Sequence, residues 1–350
     1  MANDRIFYAC QAVGIVPTTG ADASTGIMVR GLQSVGLSST FSLDQIFELG
    51  QVELYENTEE VADIELTLEK VIDGRKLIWD LTSNGACKAA GAGLVAAAKN
   101  RCDVFLLVFA DTVSSVDGES IGSVCWNSGM YTSEVSYSYS VDGNATESVT
   151  LVGNDRFWNG QTGPDGATTA IAQENTGGGL DYSMFDGADF ALSGVQRRVN
   201  VDTANSTFPA AVTLNAGDRG PLGGENTLNY HLQSINVSAS FGQENLLELG
   251  RFGPYAKFTT FPLEVSSDFE VIASSGDLVS VSGSNRNQPG NGEPIVIKDD
   301  AGTIIDLGSK NKLTSVSYSG GDTGGGNATV TYSYVTYNEL SVDGGDNGGA

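Results

Sequence analysis

Histidine is almost missing from this chain of 350 residues: there is one, His231. With no second histidine, no His-based metal cluster can form, and a lone histidine ahead of an apolar-alternating stretch reads as a strand residue rather than a catalyst. Cysteine is scarce too. Cys10, Cys87, Cys102 and Cys125 show no Cys-x-x-Cys spacing, which excludes zinc ribbons and dithiol redox motifs and points to free thiols in a reducing compartment. No Walker A sequence and no His-Glu-x-x-His is present. Long apolar runs are absent as well; "VFLLVFA" (104–110) reads as a buried strand, far short of a membrane span. The opening "MANDRIFYACQAVG" is charged early and lacks a long apolar core, so no signal peptide is expected. Cations are few, with 18 Lys and Arg against 43 Asp and Glu, for a net charge of −25. Such a surface repels nucleic acid and anionic membranes at long range.

What remains is a β-forming composition. Hydrophobic residues make up 40% and charged ones 17%, with 45 glycines. Short strands joined by tight turns suit that mixture. The length allows two domains of roughly 100–150 residues each.

The chain repeats itself. "LQSVGLSSTF" (32–41) returns as "LQSINVSASF" (232–241), and Glu48-Leu49-Gly50 and Tyr55 return as Glu248-Leu249-Gly250 and Tyr255. Near the end of each copy, "VSYSYSVDGNATESVTL" (135–151) answers "VSYSGGDTGGGNATVTY" (316–332), two strands around a Gly-containing tip. "YACQAVGIV" (8–16) resembles "SGVQRRVNV" (193–201). A domain-sized period means a duplicated domain rather than a solenoid. The copies span 1–153 and 190–345, separated by a Gly-rich linker or loop at 154–189 and followed by a flexible tail at 346–350. They differ at one place: "SNGACKAAGAGLVAAAKNRC" (83–102) predicts a helix in the first copy, where the second has "GSNRNQPGNGEP" (283–294).

Alternation sets the faces of the strands. Val35, Leu37 and Phe41 fall on one side, Ser34 and Ser38 on the other; Ile235, Val237 and Phe241 oppose Ser234 and Ser238 in the same way. Next in each copy comes an acidic strand. Ile64, Leu66 and Leu68 alternate with Asp63, Glu65 and Glu69, and Leu263, Val265 and Phe269 with Glu264, Asp268 and Glu270.

Several short motifs carry little. "GESIG" (118–122) matches a nucleophile elbow but follows turn chemistry and leads into a strand. "GAGLVA" (91–96) imitates a dinucleotide fingerprint inside the predicted helix, where small residues allow close approach to a neighbouring element. Acid-Gly tips such as "VDGES", "KDDAGT" and "VDGGDNGG" lack the spaced ligand series of a calcium loop. Asn144, Asn205, Asn236 and Asn327 sit in glycosylation sequons, which carry no weight where no secretory route is expected. No catalytic, cofactor-binding or metal-binding residue is assigned, and no enzyme is expected.

The stretch 32–74, "LQSVGLSSTFSLDQIFELGQVELYENTEEVADIELTLEKVIDG", resembles tail tube proteins of tailed bacteriophages, whose fold is similar to the type VI secretion tube. The resemblance implies two tandem β-sandwich or β-barrel modules, with one flanking helix in the first. It also implies subunits assembled into rings of six modules around a channel. It makes Asp63, Glu65, Glu69, Ser34 and Ser38, with Glu264, Asp268, Glu270, Ser234 and Ser238, the lumen lining. "DQIFELGQVELYENTEE" and "ENLLELGRFGPYAKF" become arms, with Phe47, Leu49, Tyr55, Leu247, Leu249 and Tyr255 at contacts between subunits or rings. A chain with two modules then makes a trimeric ring of pseudo-six-fold symmetry. An acidic lumen would conduct DNA without binding it. The implied partners are the chain itself, other tail proteins such as sheath, terminator or baseplate, and DNA in passage. No membrane is implied, and the setting is a virion tail assembled in the host cytoplasm. The alternatives are another virion component (neck, decoration or baseplate protein) and a cell-surface β-sandwich binding module.

Overall fold

The structure, a computed structural model, describes residues 6, 8, 11–17, 27–89, 93–109, 121–158, 232–251, 253–273, 281–282, 285–286, 295–298, 302–321, 323 and 325–344. Outside them lie His231, Cys10, Asn205, the 193–201 stretch, most of 283–294 and of the 154–189 segment, the first residues of "GESIG" and "GAGLVA", and the last six residues.

The fold is mainly β. The first copy runs β1 (Gln11–Val16), β2 (Ile27–Met28), β3 (Leu32–Thr40), a hairpin of β4 (Leu43–Phe47) and β5 (Leu54–Glu59), and β6 (Asp63–Val71). Two short helices follow, α1 (Ile78–Thr82) and α2 (Gly93–Ala97). The copy then continues as β7 (Arg101–Phe109), β8 (Ile121–Ser140), β9 (Thr146–Gly153) and β10 (Asp155–Trp158). The second copy runs β11 (Leu232–Ser240), a hairpin of β12 (Gln243–Leu246) and β13 (Ala256–Thr259), and β14 (Glu264–Ile272). After it come the short β15 (Val281–Ser282), β16 (Asn285–Arg286), β17 (Val296–Lys298) and β18 (Thr303–Asp306), then β19 (Lys312–Ser319), β20 (Thr329–Tyr337) and β21 (Ser341–Gly344).

The repeated stretches form corresponding strands. The first copy lays its strands in the order β3-β6-β9-β8 and the second in the order β11-β14-β20-β19. The irregularities repeat too. A bulge falls at Gln33 and again at Gln233, and another at Ser133 and again at Thr314. Ser34 donates to Glu69 at 3.2 Å, and Ser234 to Glu270 at 3.1 Å. Bulges and side-chain bonds at matched positions are inherited features of a strand pair rather than accidents.

The copies share one sheet. The outer half of the 20-residue β8 pairs antiparallel with β11, from Ser140 opposite Ser234 to Glu134 opposite Ser240. Eight strands therefore run side by side, β3-β6-β9-β8-β11-β14-β20-β19, while the first half of β8 carries β7, β1, β2 and β10 as a wing. One face of the eight is apolar: Ile64, Leu66, Leu68, Val135, Val149, Leu151, Ile235, Val237, Val265, Phe269, Val330 and Tyr332 are all buried. Each such side chain contributes about 1.5–3 kcal/mol by leaving water. Covering them are α1, α2 and the small β17-β18-β21 sheet, through Leu77, Trp79, Leu94, Ile297, Ile305 and Val342.

The helix predicted over 83–102 is not continuous. Gly85, at φ +74°, closes α1 in the left-handed region, and Ala89 is extended. A side chain at Gly93 would collide with the Cys87 carbonyl and come within 2.8 Å of the Leu340 carbonyl, so α2 packs closely on the end of the chain, as small residues permit. The 78–82 helix was not expected from the sequence. Its start is fixed by Glu147 of β9, buried on the apolar face, which accepts from the backbone N–H of Ile78 (2.6 Å) and Trp79 (3.1 Å) and from the Tyr137 hydroxyl (3.1 Å). These N–H groups are donors that a helix start leaves open. The second copy has Val330 in this place, one position along from Thr329 as Glu147 is from Thr146.

Glu147→Ala would strip three buried donors of their acceptor, so we expect a loss of at least about 3 kcal/mol in urea unfolding. Burial raises the Glu147 pKa above its ordinary 4.5, against the opposing hydrogen bonds from Ile78 and Trp79. The folded state therefore holds this proton to higher pH than the unfolded one. The associated stability is fully present below about 4.5 and is lost as pH rises through the folded value. Glu147→Gln should remove that slope.

Candidate functional site

The opposite face of the eight-stranded sheet is polar. Ser34, Glu69, Ser148, Ser136, Ser238 and Ser266 stand in register across six successive strands. A parallel row runs Thr146, Ser138, Asn236, Asp268 and Ser333, with Ser138 donating to Asn236 at 2.9 Å. Ser238 and Ser266 share a hydrogen bond of 2.8 Å across the next pair. Short hydroxyl side chains keep this surface low.

Its charges are nearly all negative. Asp63, Glu65, Glu69, Glu264, Asp268 and Glu270 are exposed or half-exposed, while their apolar strand neighbours are buried. The structure thus brings together on one face the acidic and serine positions that alternation separated from the core, including Ser34, Ser38, Ser234 and Ser238. It adds Glu134 of β8, exposed opposite Ser240. That residue was missed because it immediately follows the bulge at Ser133, where simple alternation shifts by one. Across these eight strands the only cations are Lys70 and Lys312. Lys70 points inward and is buried, held at 3.0 Å by both the Arg30 carbonyl and Asp73. Lys312 sits at the first position of β19.

The two hairpins leave this sheet as matched arms. Leu43 faces Glu59 as Gln243 faces Thr259, and Gly50 and Gly250 turn the tips at φ +95° and +89°, a region that costs other residues energy. Phe47, Leu49 and Tyr55 on the first arm, and Leu247, Leu249 and Tyr255 on the second, are all exposed, so none belongs to the core of the chain that carries it.

The second arm is anchored on the first copy. Gln243 donates to the Thr132 carbonyl (2.9 Å), Thr259 to the Ala98 carbonyl (2.8 Å), and the Phe241 ring meets Trp79 of α1 edge-on at 6.0 Å. Burial holds the Lys257 ammonium below its usual pKa, with nearby Asp63 pulling the other way. Among the described residues the first arm has no such anchor: Phe41, the counterpart of Phe241, is 67% exposed, against 2% for Phe241.

Among the described residues no group of three or more His, Cys, Asp or Glu is placed to hold a metal ion. The three described cysteines are buried. Burial pushes the Cys87 thiol up to about 12 and Cys125 to about 11, and raises Cys102 as well, so all three are poor nucleophiles at neutral pH. No helix among the described residues is long and apolar enough to cross a membrane.

No protein family matches the sequence, and no curated protein matches it. Among solved structures the chain is similar to one from the cryo-EM structure of the anti-feeding prophage (AFP) baseplate, six-fold symmetrised. The identity is 12% and the TM-score 0.31, over 45% of this chain and 97% of that one.

Proposed function

We propose that the chain is a structural, non-catalytic subunit of a phage-type tail tube, in which three copies close a ring and the rings stack around an acidic channel. The observation that carries this reading is the continuous polar face of the eight strands, whose outward charged groups are carboxylates but for Lys312. A wall of carboxylates and small hydroxyls gives a phosphate backbone no place to bind, which suits a conduit for DNA. The duplication supplies two equivalent wall modules per chain, so a closed ring of six modules needs three chains. In this reading the exposed apolar residues of the arms meet neighbouring subunits or rings, where apolar and aromatic anchors dominate contact energies.

Electron microscopy of the purified protein tests the reading, with rings of three chains and stacks of such rings expected. A monodisperse monomer at high concentration, or six chains per ring, would overturn it. Tyr55→Ala and Tyr255→Ala should leave subunit melting within about 0.5 kcal/mol of the parent, because both side chains are exposed in the chain. The same variants should shorten the stacks. Stacks of unchanged length would remove the arms from the contact.

A further inference from the structure

We infer that β19 of one chain pairs antiparallel with β3 of a second copy, in the register already present inside the chain where β8 meets β11. This deepens the ring reading above and rests on it for the number of chains.

By strand order, shared bulges and matched pairing, β3 corresponds to β11 and β19 to the outer half of β8. Inside the chain, β8 and β11 join edge to edge. Their counterparts are the two ends of the same eight-stranded sheet, and each has a sheet partner on one side only among the described residues. Every chain thus ends in the two halves of a junction whose complete form it also contains.

Burial says the ends are unfinished. At the internal junction Ile235, Val237 and Ala239 of β11 are buried, whereas Val35, Leu37 and Ser39 of β3 are only half-buried. Tyr137 of β8 is 1% exposed, and its counterpart Tyr318 of β19 is 56% exposed. Beyond the bulges at Gln33 and Thr314, neither edge carries the usual protection. Ser34–Thr40 and Ser315–Ser319 contain no charge and no proline, although solitary proteins blunt free edges with such residues. The absence of charge also means that nothing repels when the two edges meet.

The internal register transfers directly. It places Ser34 opposite Gly321, Gly36 opposite Ser319, Leu37 opposite Tyr318, Ser38 opposite Ser317 and Thr40 opposite Ser315. Tyr318 would then be covered as Tyr137 is, and the serine rows would continue across the seam. Within the chain, Phe241 N–H donates to the Ser133 carbonyl (2.7 Å) and Val141 N–H to the Gln233 carbonyl (3.1 Å). Counting in twos from these bonded pairs makes Ser238 and Ser136 a non-hydrogen-bonded pair, the closer of the two antiparallel types. Ser38 and Ser317 inherit that geometry, which suits a disulfide.

The experiment mixes two single variants, Ser38→Cys and Ser317→Cys, each in a Cys10→Ser background, and oxidises the mixture. The buried native thiols contribute little, and both sites are exposed, so folding is checked by melting alone. A cross-linked dimer is expected, at roughly five-fold or more over mixtures of Ser38→Cys with Ser315→Cys or Ser319→Cys, which are displaced by two residues on the same face. Equal yields from the displaced pairs would overturn the register. No dimer while rings are seen by microscopy would overturn the seam and leave the ring reading standing. In the double variant Ser38→Cys/Ser317→Cys, a ladder ending at three chains supports both. A ladder running past three supports the seam and overturns the three-membered ring. A disulfide confined to the monomer would show that the two edges close within one chain, and would overturn the seam.

Discussion

Replacing Glu65, Glu69, Glu264 and Asp268 with lysine should turn a wall that ignores DNA into one that holds it. All four side chains leave the sheet on the polar face. Exposed strand positions of this kind tolerate substitution within about 0.5 kcal/mol each. Glu69 carries the largest local loss, since it accepts from Ser34. The subunit should therefore fold with a melting temperature close to the parent. The electrostatic change is far larger. In a channel just wide enough for duplex DNA, a lysine on the wall would lie within about a Debye length of the passing phosphates. If four lysines per chain engage phosphates, affinity should fall about a hundred-fold between roughly 50 and 200 mM salt, the signature of counterion release. The parent should show no retention at either salt. Retention of duplex DNA by the lysine variant in a salt-dependent manner is measured by co-sedimentation with assembled protein, and slowed genome delivery by particles carrying it. Unchanged delivery, or a particle structure with these carboxylates on the outer surface, would end the channel reading.

The parts of this face that were legible in the sequence are those governed by a period of two. Ile64, Leu66 and Leu68 against Asp63, Glu65 and Glu69 needed only alternation, and the repeat of Leu-Gln-Ser at 32 and 232 fixed which strands correspond. That the copies would join into one sheet was not legible. The joining strand β8 begins in one neighbourhood, beside β7, and ends in another, beside β11. No local pattern in "IGSVCWNSGMYTSEVSYSYS" reports which partner each half will meet.

The helices were misplaced for a different reason. Alanine content in 83–102 argues for a helix, but the chain there must fit between β21 and the sheet, and left-handed Gly85 and close-packed Gly93 divide it. The helix at 78–82 has weak local signals, with Leu77 rather than a capping side chain before it. Its cap comes from Glu147, 69 residues from Ile78. A clue was available: Glu147 occupies an inward position in an alternation with Val149 and Leu151. A carboxylate on an apolar face implies donors waiting above it.

The same network sets the last expectation, a paired substitution at equivalent positions with opposite consequences. Phe241→Ala should destabilise the folded chain by about 3–5 kcal/mol, as expected for a fully buried aromatic that leaves a cavity. Its ring is held against Trp79, which rides on α1, which in turn depends on Glu147. Losing it loosens the root of the second arm where that arm is fixed to the first copy through Thr132 and Ala98. Phe41→Ala alters the corresponding residue of the first copy. Because Phe41 is exposed in the chain, its loss should change subunit unfolding by less than about 0.5 kcal/mol. If β3 lies on β19 of a neighbour, however, Phe41 takes up beside Thr314 the place that Phe241 has beside Ser133, and its ring becomes an anchor between chains. Urea unfolding of the dissociated subunit reads the first effect, and the concentration at which rings form reads the second. Phe241→Ala should move mainly the first and Phe41→Ala only the second. A Phe41→Ala protein that assembles at the parent concentration would show that the first arm is anchored by something other than its neighbour's β19 edge.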